Sequence, residues 1–298
     1  MQTACWSLWL RTDGPTIAFE TGLEEVLGAG AISTYKEADG INLVEAFFED
    51  EPDAELAEVM LRAASDGLLP EWAITYHDKR DWLAENRADF PPLQIGPFWV
   101  HGSHITTPPP AGCHRLLVDA ALAFGSGTHP TTAGCLLALV QLTASRPKPK
   151  TILDMGCGSA ILAMAAHRLQ PGAHLLAVDN DPDSVRTSAE NFRLNHIAPS
   201  QASAILSEGF AHRRIARAAP FDLIFANILA GPLRAMAGDL VAHVAPRGRV
   251  ILSGIMNHQA KSVLVRYRRW GFVPESQLEI GEWTTLVLKH AGNWKLNA

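Results

Sequence analysis

The residues of this chain that could do chemistry stand where apolar runs stop. In Ile152-Leu-Asp154-Met-Gly156-Cys-Gly158-Ser159-Ala160-Ile-Leu162 a strand pattern ends at a carboxylate and turns through two glycines into a helical pattern. Glycine lacks a β-carbon, so a ligand can approach the backbone, and the helix start that follows offers unpaired N–H groups to an anion. The third glycine of a dinucleotide fingerprint is missing, and taken alone the turn reads equally as a tight strand-to-helix connection. A second run, Leu176-Ala-Val178-Asp179-Asn180-Asp181-Pro182, ends at Asp179. A carboxylate only accepts hydrogen bonds, and at a strand's carboxyl end it can take them from both hydroxyls of a ribose; the alternative is a loop or helix-capping carboxylate. A third run, Phe221-Asp-Leu-Ile-Phe-Ala226, opens into Asn227-Ile228-Leu229-Ala230-Gly231-Pro232. The Asn227 amide oxygen and the carbonyls beside it can accept from an amine, or Asn227 caps the next helix.

Upstream, Leu122-Ala-Phe124-Gly125-Ser126-Gly127-Thr128-His129-Pro130-Thr131-Thr132 is a permissive glycine- and threonine-rich loop entering a helix, able to wrap over a ligand or to lie on the surface. His129 reads as a structural hydrogen-bonder or as a base. With no second His, Cys or carboxylate at ligand spacing, no metal is expected.

Strand ends that share one ligand must belong to one sheet. Strand patterns over 151–154, 174–179, 221–226 and 249–253 alternate with helical patterns over 131–144, 159–169, 182–195, 232–244 and 259–270. That alternation predicts a parallel sheet with helices on both faces. The ending differs: 272–279 and 283–289, joined by Ile-Gly-Glu, predict an antiparallel hairpin at one edge. In front, the pattern over 5–77 reads strand, helix, strand, strand, helix, strand, the ferredoxin-like βαββαβ order. Between them, the proline- and glycine-rich 78–112 predicts a linker carrying one short strand, 98–100.

Composition narrows the class. A chain of 298 residues accommodates two domains, and no apolar run approaches the roughly 20 residues of a membrane span. Cys5, Cys113, Cys135 and Cys157 are scattered without a CxxC pair, which fits a reducing cytoplasm. The net charge of -6 argues against direct nucleic acid recognition, and the basic clusters at 212–217 and 266–269 read as solvated helix faces.

The run 122–132, the Asp154-Met-Gly-Cys-Gly-Ser segment, Asp179-Asn-Asp-Pro182, Asn227-Ile-Leu-Ala-Gly-Pro-Leu233 and Leu252-Ser-Gly-Ile255 together resemble the PrmA family, bacterial methyltransferases of ribosomal protein L11. The resemblance spans essentially the whole chain, and the FGxGTHPTT-like loop is its most discriminating element. It implies an α/β fold: a Rossmann-like class I methyltransferase domain over 113–298, a mostly parallel sheet with an antiparallel C-terminal edge hairpin. Before it come the linker and a small ferredoxin-like α+β substrate-recognition domain over 1–77. It implies S-adenosyl-L-methionine as cofactor, bound by Thr132, Gly156, Asp179 and Asn227; the amide oxygen of Asn227 makes it the expected catalytic residue as well, holding the attacking amine. The implied acceptors are lysine side chains, and the N-terminal amine, of the ribosomal protein, free or on the large subunit, with no membrane partner. Two positions depart from the family: Ser126 stands for Thr, and Ala160 for Gly at the helix start.

Overall fold

The computed structural model describes residues 5–36, 40–48, 50–65, 67–77, 91–118, 129–144 and 148–292. It divides the chain into two compact units, 1–82 and 83–298.

The first unit runs β1 (Cys5–Thr12), α1 (Ile17–Glu25), β2 (Ala31–Lys36), β3 (Asn42–Phe48), α2 (Ala54–Ala64) and β4 (Glu71–His77). Its sheet has the order β2-β3-β1-β4 with every neighbouring pair antiparallel, the ferredoxin-like arrangement. Period-two alternation puts Leu8 opposite Ala46 and Leu10 opposite Val44 on one face. They are buried there with Phe19 and Leu23 of α1 and Ala57, Met60 and Leu61 of α2. The Asp53 side chain caps α2, accepting from the Glu55 and Leu56 amides at 2.9 and 3.1 Å, a contribution of about 1 kcal/mol.

The second unit begins inside the expected linker. From residue 91 onward that segment holds β5 (Leu93–Ile95) and β6 (Phe98–His101), which pair antiparallel, and β6 pairs parallel with β7 (His114–Leu117). Ile95, Phe98, Val100 and Leu116 are buried in the second unit's own core. The prolines and glycines flank these strands instead of interrupting them, so the linker reading is corrected for the described part, 91–112.

The main sheet comprises β8 (Thr151–Met155), β9 (His174–Asp179), β10 (Ala202–Leu206), β11 (Phe221–Asn227), β12 (Val244–Met256), β13 (Phe272–Ile280) and β14 (Trp283–His290). Its order is β10-β9-β8-β11-β12-β14-β13, parallel through β12 and antiparallel in the final hairpin. Both faces are covered, as a parallel sheet requires. Ile152, Leu175, Phe225 and Ile251 face α3 (Pro130–Ala144), α4 (Ile161–Leu169) and α5 (Pro182–Leu194). Leu153, Val178, Ile224 and Leu252 face α6 (Arg213–Ala218), α7 (Ala230–Ala235), α8 (Ala237–His243) and α9 (Asn257–Arg268).

Two local features differ from the sequence pattern. β10 lies outside the expected strands, because Ser203 interrupts a five-residue edge strand that follows directly on the polar turn Ser200-Gln201. The single helix expected over 232–244 is two, α7 and α8, meeting at Met236. The basic stretch at 213–218 is α6, an exposed helix as its charge pattern implied, held by one buried apolar residue, Ile215.

Candidate functional site

β8, β9 and β11 are neighbours, so their carboxyl ends open side by side onto one cleft of ≈ 430 Å³. Thr132, Gly156, Asp179 and Asn227, the four residues singled out from the sequence, all line it. Leu122 to Thr128 of the glycine- and threonine-rich loop lie outside the described residues.

The glycine loop is tied to the next strand. Gly156 and Cys157 both donate to the Val178 carbonyl, at 2.8 and 3.1 Å. Gly156 has φ +69, and a β-carbon there would run into Cγ2 of Ile228, so the position requires glycine on two counts. Gly158 donates to Oδ2 of Asp179 at 2.9 Å, and Asp181 donates to Oδ1 at 3.1 Å. Two backbone amides thus orient the Asp179 carboxylate. Each oxygen keeps a further lone pair for a ligand hydroxyl.

Asp154, at the end of β8, is buried beneath this loop. Its Oδ2 accepts from the Ala163 amide at 3.0 Å, while Oδ1 has no hydrogen-bond partner among the described residues. Burial pushes its carboxyl up to about 7, the Ala163 bond opposes the shift and the Asp179 charge adds to it.

Oγ1 of Thr132 and Oδ1 of Asn227 are also buried and lack partners among the described residues. Leaving a buried polar atom unpaired costs about 1–3 kcal/mol. Two such oxygens, on residues that line one cleft beside an oriented carboxylate and a glycine floor, fit a ligand rich in hydrogen-bond donors. The donor set of S-adenosylmethionine, ribose hydroxyls and an ammonium, meets that requirement.

The cleft also contains residues that the sequence reading gave no role. Ile228 is wedged between two glycines: its side chain lies over Gly156, and its backbone lies where a β-carbon of Gly254 would be. Gly254 has φ +77 and sits where the β12–β14 register slips, between Leu252 and Ile255. Trp283, the first residue of β14, lines the far side. Its ring meets His129 edge-on, with centroids 4.9 Å apart and planes at 68°, while His129 Nδ1 and Thr131 Oγ1 share a 2.8 Å hydrogen bond. The Leu252-Ser-Gly-Ile255 resemblance pointed at Gly254 without giving it a function. Nothing in the spacing of Trp283 could have placed it here.

A sheet of this order, with a glycine loop after one strand, a carboxylate after its neighbour and an asparagine after the next, is that of a class I methyltransferase. A crystal structure of ribosomal protein L11 methylase from Lactobacillus delbrueckii subsp. bulgaricus matches with a TM-score of 0.60 and 28% identity, covering 67% of this chain and 99% of that one. The chain belongs to the ribosomal protein L11 methyltransferase (PrmA) family, whose model matches residues 16–291. The ribosomal protein L11 methyltransferase of Bradyrhizobium diazoefficiens is 41% identical over 266 residues, 89% of either chain. That of Brucella suis is 42% identical over 209 residues, 70% of this chain and 72% of its own.

Proposed function

We propose that this protein transfers methyl groups from S-adenosylmethionine to amines of ribosomal protein L11, lysine side chains and the N-terminal amine, in the cytoplasm. The observation that carries this reading is the convergence of Thr132, Gly156, Asp179 and Asn227 on one cleft, with two buried oxygens in want of donors. S-adenosylmethionine supplies an activated methyl group together with its own leaving group. The protein's work is therefore alignment and desolvation.

Asp179, held by the Gly158 and Asp181 amides, takes the ribose hydroxyls. Gly156 lets the ligand approach the backbone, and the Thr132 hydroxyl gains a partner from the ligand. Asn227 Oδ1 accepts from the acceptor amine and orients its lone pair. A lysine amine has a reference pKa near 10.4 and must shed a proton before it attacks. The apolar lining of Ile161, Leu162, Ile228 and Leu229 disfavours the ammonium form, and the proton leaves to water.

The first unit is read as the grip on the acceptor protein. Residues 1–82 carry 17 acidic and 5 basic side chains, against 14 acidic and 20 basic in 83–298. The whole-chain charge conceals this division, and an acidic unit attracts a basic protein. The test is transfer of radiolabelled methyl groups to purified ribosomal proteins. Label confined to L11 supports the reading, and label elsewhere, or none, overturns it.

A further inference from the structure

The cleft has two ends, and the nucleoside accounts for only one of them. Asp179 ends β9, Asn227 ends β11, and Trp283 begins β14, in a sheet ordered β9-β8-β11-β12-β14. Asn227 therefore stands two strands from Asp179 and Trp283 two strands beyond Asn227. At 4.7–4.9 Å per strand, Asp179 and Trp283 are separated across the sheet by roughly 19 Å. If the ribose is held at Asp179 and the reacting centre lies at Asn227, the Trp283 side is left for the acceptor.

The chemistry of that end is specific. Trp283 lines the cleft, and its indole packs against the His129 ring with the two planes at 68°. Among the described residues no Lys or Arg lies over the indole. His129 is fixed in turn by its bond to Thr131, so the brace is anchored to the start of α3. Ile228 and Leu229, which follow Asn227 and line the same cleft, are apolar. An aromatic face attracts an alkylammonium through its quadrupole and packs against an aliphatic stem, and the apolar segment beside Asn227 then favours loss of the proton. Such a face offers much less to a carboxamide or a hydroxyl.

We infer that Trp283, braced by His129, is the specificity wall for the acceptor: it receives the aliphatic stem and cationic head of a lysine-type side chain and hands the amine to Asn227. This rests on the methyltransferase reading above. The wall does not lose its partner as methyl groups accumulate, because each methylated ammonium remains a cation, whereas Asn227 Oδ1 loses a donor with each hydrogen replaced. Trp283 should therefore hold di- and trimethylated lysine at least as well as unmodified lysine.

The test uses the full-length protein loaded with S-adenosylhomocysteine and titrated calorimetrically with purified L11, unmodified and reductively dimethylated on its lysines. The proteins compared are wild type, Trp283→Phe, Trp283→Leu and Trp283→Ala. Trp283→Leu keeps apolar bulk without a π face, which covers the case in which Trp283→Ala does not fold. The expected result is a loss of L11 affinity of about tenfold in Trp283→Leu, at least as large for dimethylated L11, with Trp283→Phe within about threefold of wild type. S-adenosylhomocysteine affinity should not change. Wild-type affinity for L11 in Trp283→Leu would overturn the wall, and so would a loss of S-adenosylhomocysteine binding, which would assign Trp283 to the nucleoside end. Failure of the wild type itself to bind S-adenosylhomocysteine would instead sink the methyltransferase reading.

Discussion

The backbone of Ile228 occupies the space into which a side chain on Gly254 would project. One residue of β12 without a side chain thus sets the height of the segment that carries Asn227. Gly254→Ala should push that segment outward. Misplacing a reacting group by about 1 Å can cost on the order of 100-fold in rate. Steady-state kinetics should show kcat reduced at least tenfold, while the affinity for S-adenosylhomocysteine holds within about threefold. An unchanged kcat would mean that the 227–229 segment tolerates displacement.

Asp179 is positioned by two backbone amides that do not depend on a ligand. Removing the carboxylate takes away charge-assisted hydrogen bonds of about 1.5–3 kcal/mol. Asp179→Ala should raise the dissociation constant for S-adenosylhomocysteine by roughly 10–100-fold, measured by calorimetry. Normal affinity in the variant would assign the carboxylate to loop structure alone.

Asp154 supplies a pH dependence of stability. Its carboxyl lies near 7 in the fold against an ordinary value of 3.8, chiefly because it is buried. A raised folded value means that the fold binds the proton more tightly than the unfolded chain does. The contribution is therefore complete below about 3.8 and is lost as pH rises through about 7. Asp154→Asn keeps an oxygen for the Ala163 amide and cannot ionise. Thermal melts between about pH 5 and pH 8 should show the wild type losing several degrees relative to the variant. Parallel curves would show that Asp154 stays ionised, or stays protonated, throughout.

The charge division predicts a salt effect. If the acidic first unit attracts the acceptor, KM for L11 should rise several-fold between about 50 and 500 mM salt while the affinity for S-adenosylhomocysteine barely moves. A flat KM would leave the grip to apolar contacts.

Ala160 tests a departure from the family pattern. It has φ 59 at the N-cap of α4 and its methyl is buried. Ala160→Gly would relieve about 1–2 kcal/mol of left-handed strain. Against that stand about 0.8 kcal/mol of lost burial and about 0.4–1 kcal/mol of added unfolded-state entropy. The opposing effects nearly cancel, so denaturant unfolding should change by less than about 1 kcal/mol. A larger loss would show that the methyl is a packing element which the loop has come to depend on.

Much of this was legible from the residues in order. The ends of β8, β9 and β11 could be read because an apolar run stopping at a polar residue marks both the strand and its carboxyl terminus. The first unit was legible because its two periodicities switch cleanly. What escaped were features created by distant segments meeting. Trp283 lies far along the chain from Asn227 and becomes its companion only because β14 enters the sheet beside β12. Gly254 looks like any strand glycine until the register slip and positive φ are seen. β10 was invisible because an edge strand need bury only one face, and Ser203 broke the pattern of this short one.

The position of β14 has a consequence for how the protein comes into being. β14 lies between β12 and β13, although both precede it in the chain. A nascent polypeptide that has emerged through β13 still exposes the bare rim of β12 and lacks the indole at one end of its cleft. Catalytic competence would thus arrive only once β14 has been made, and every shorter nascent chain would stand idle.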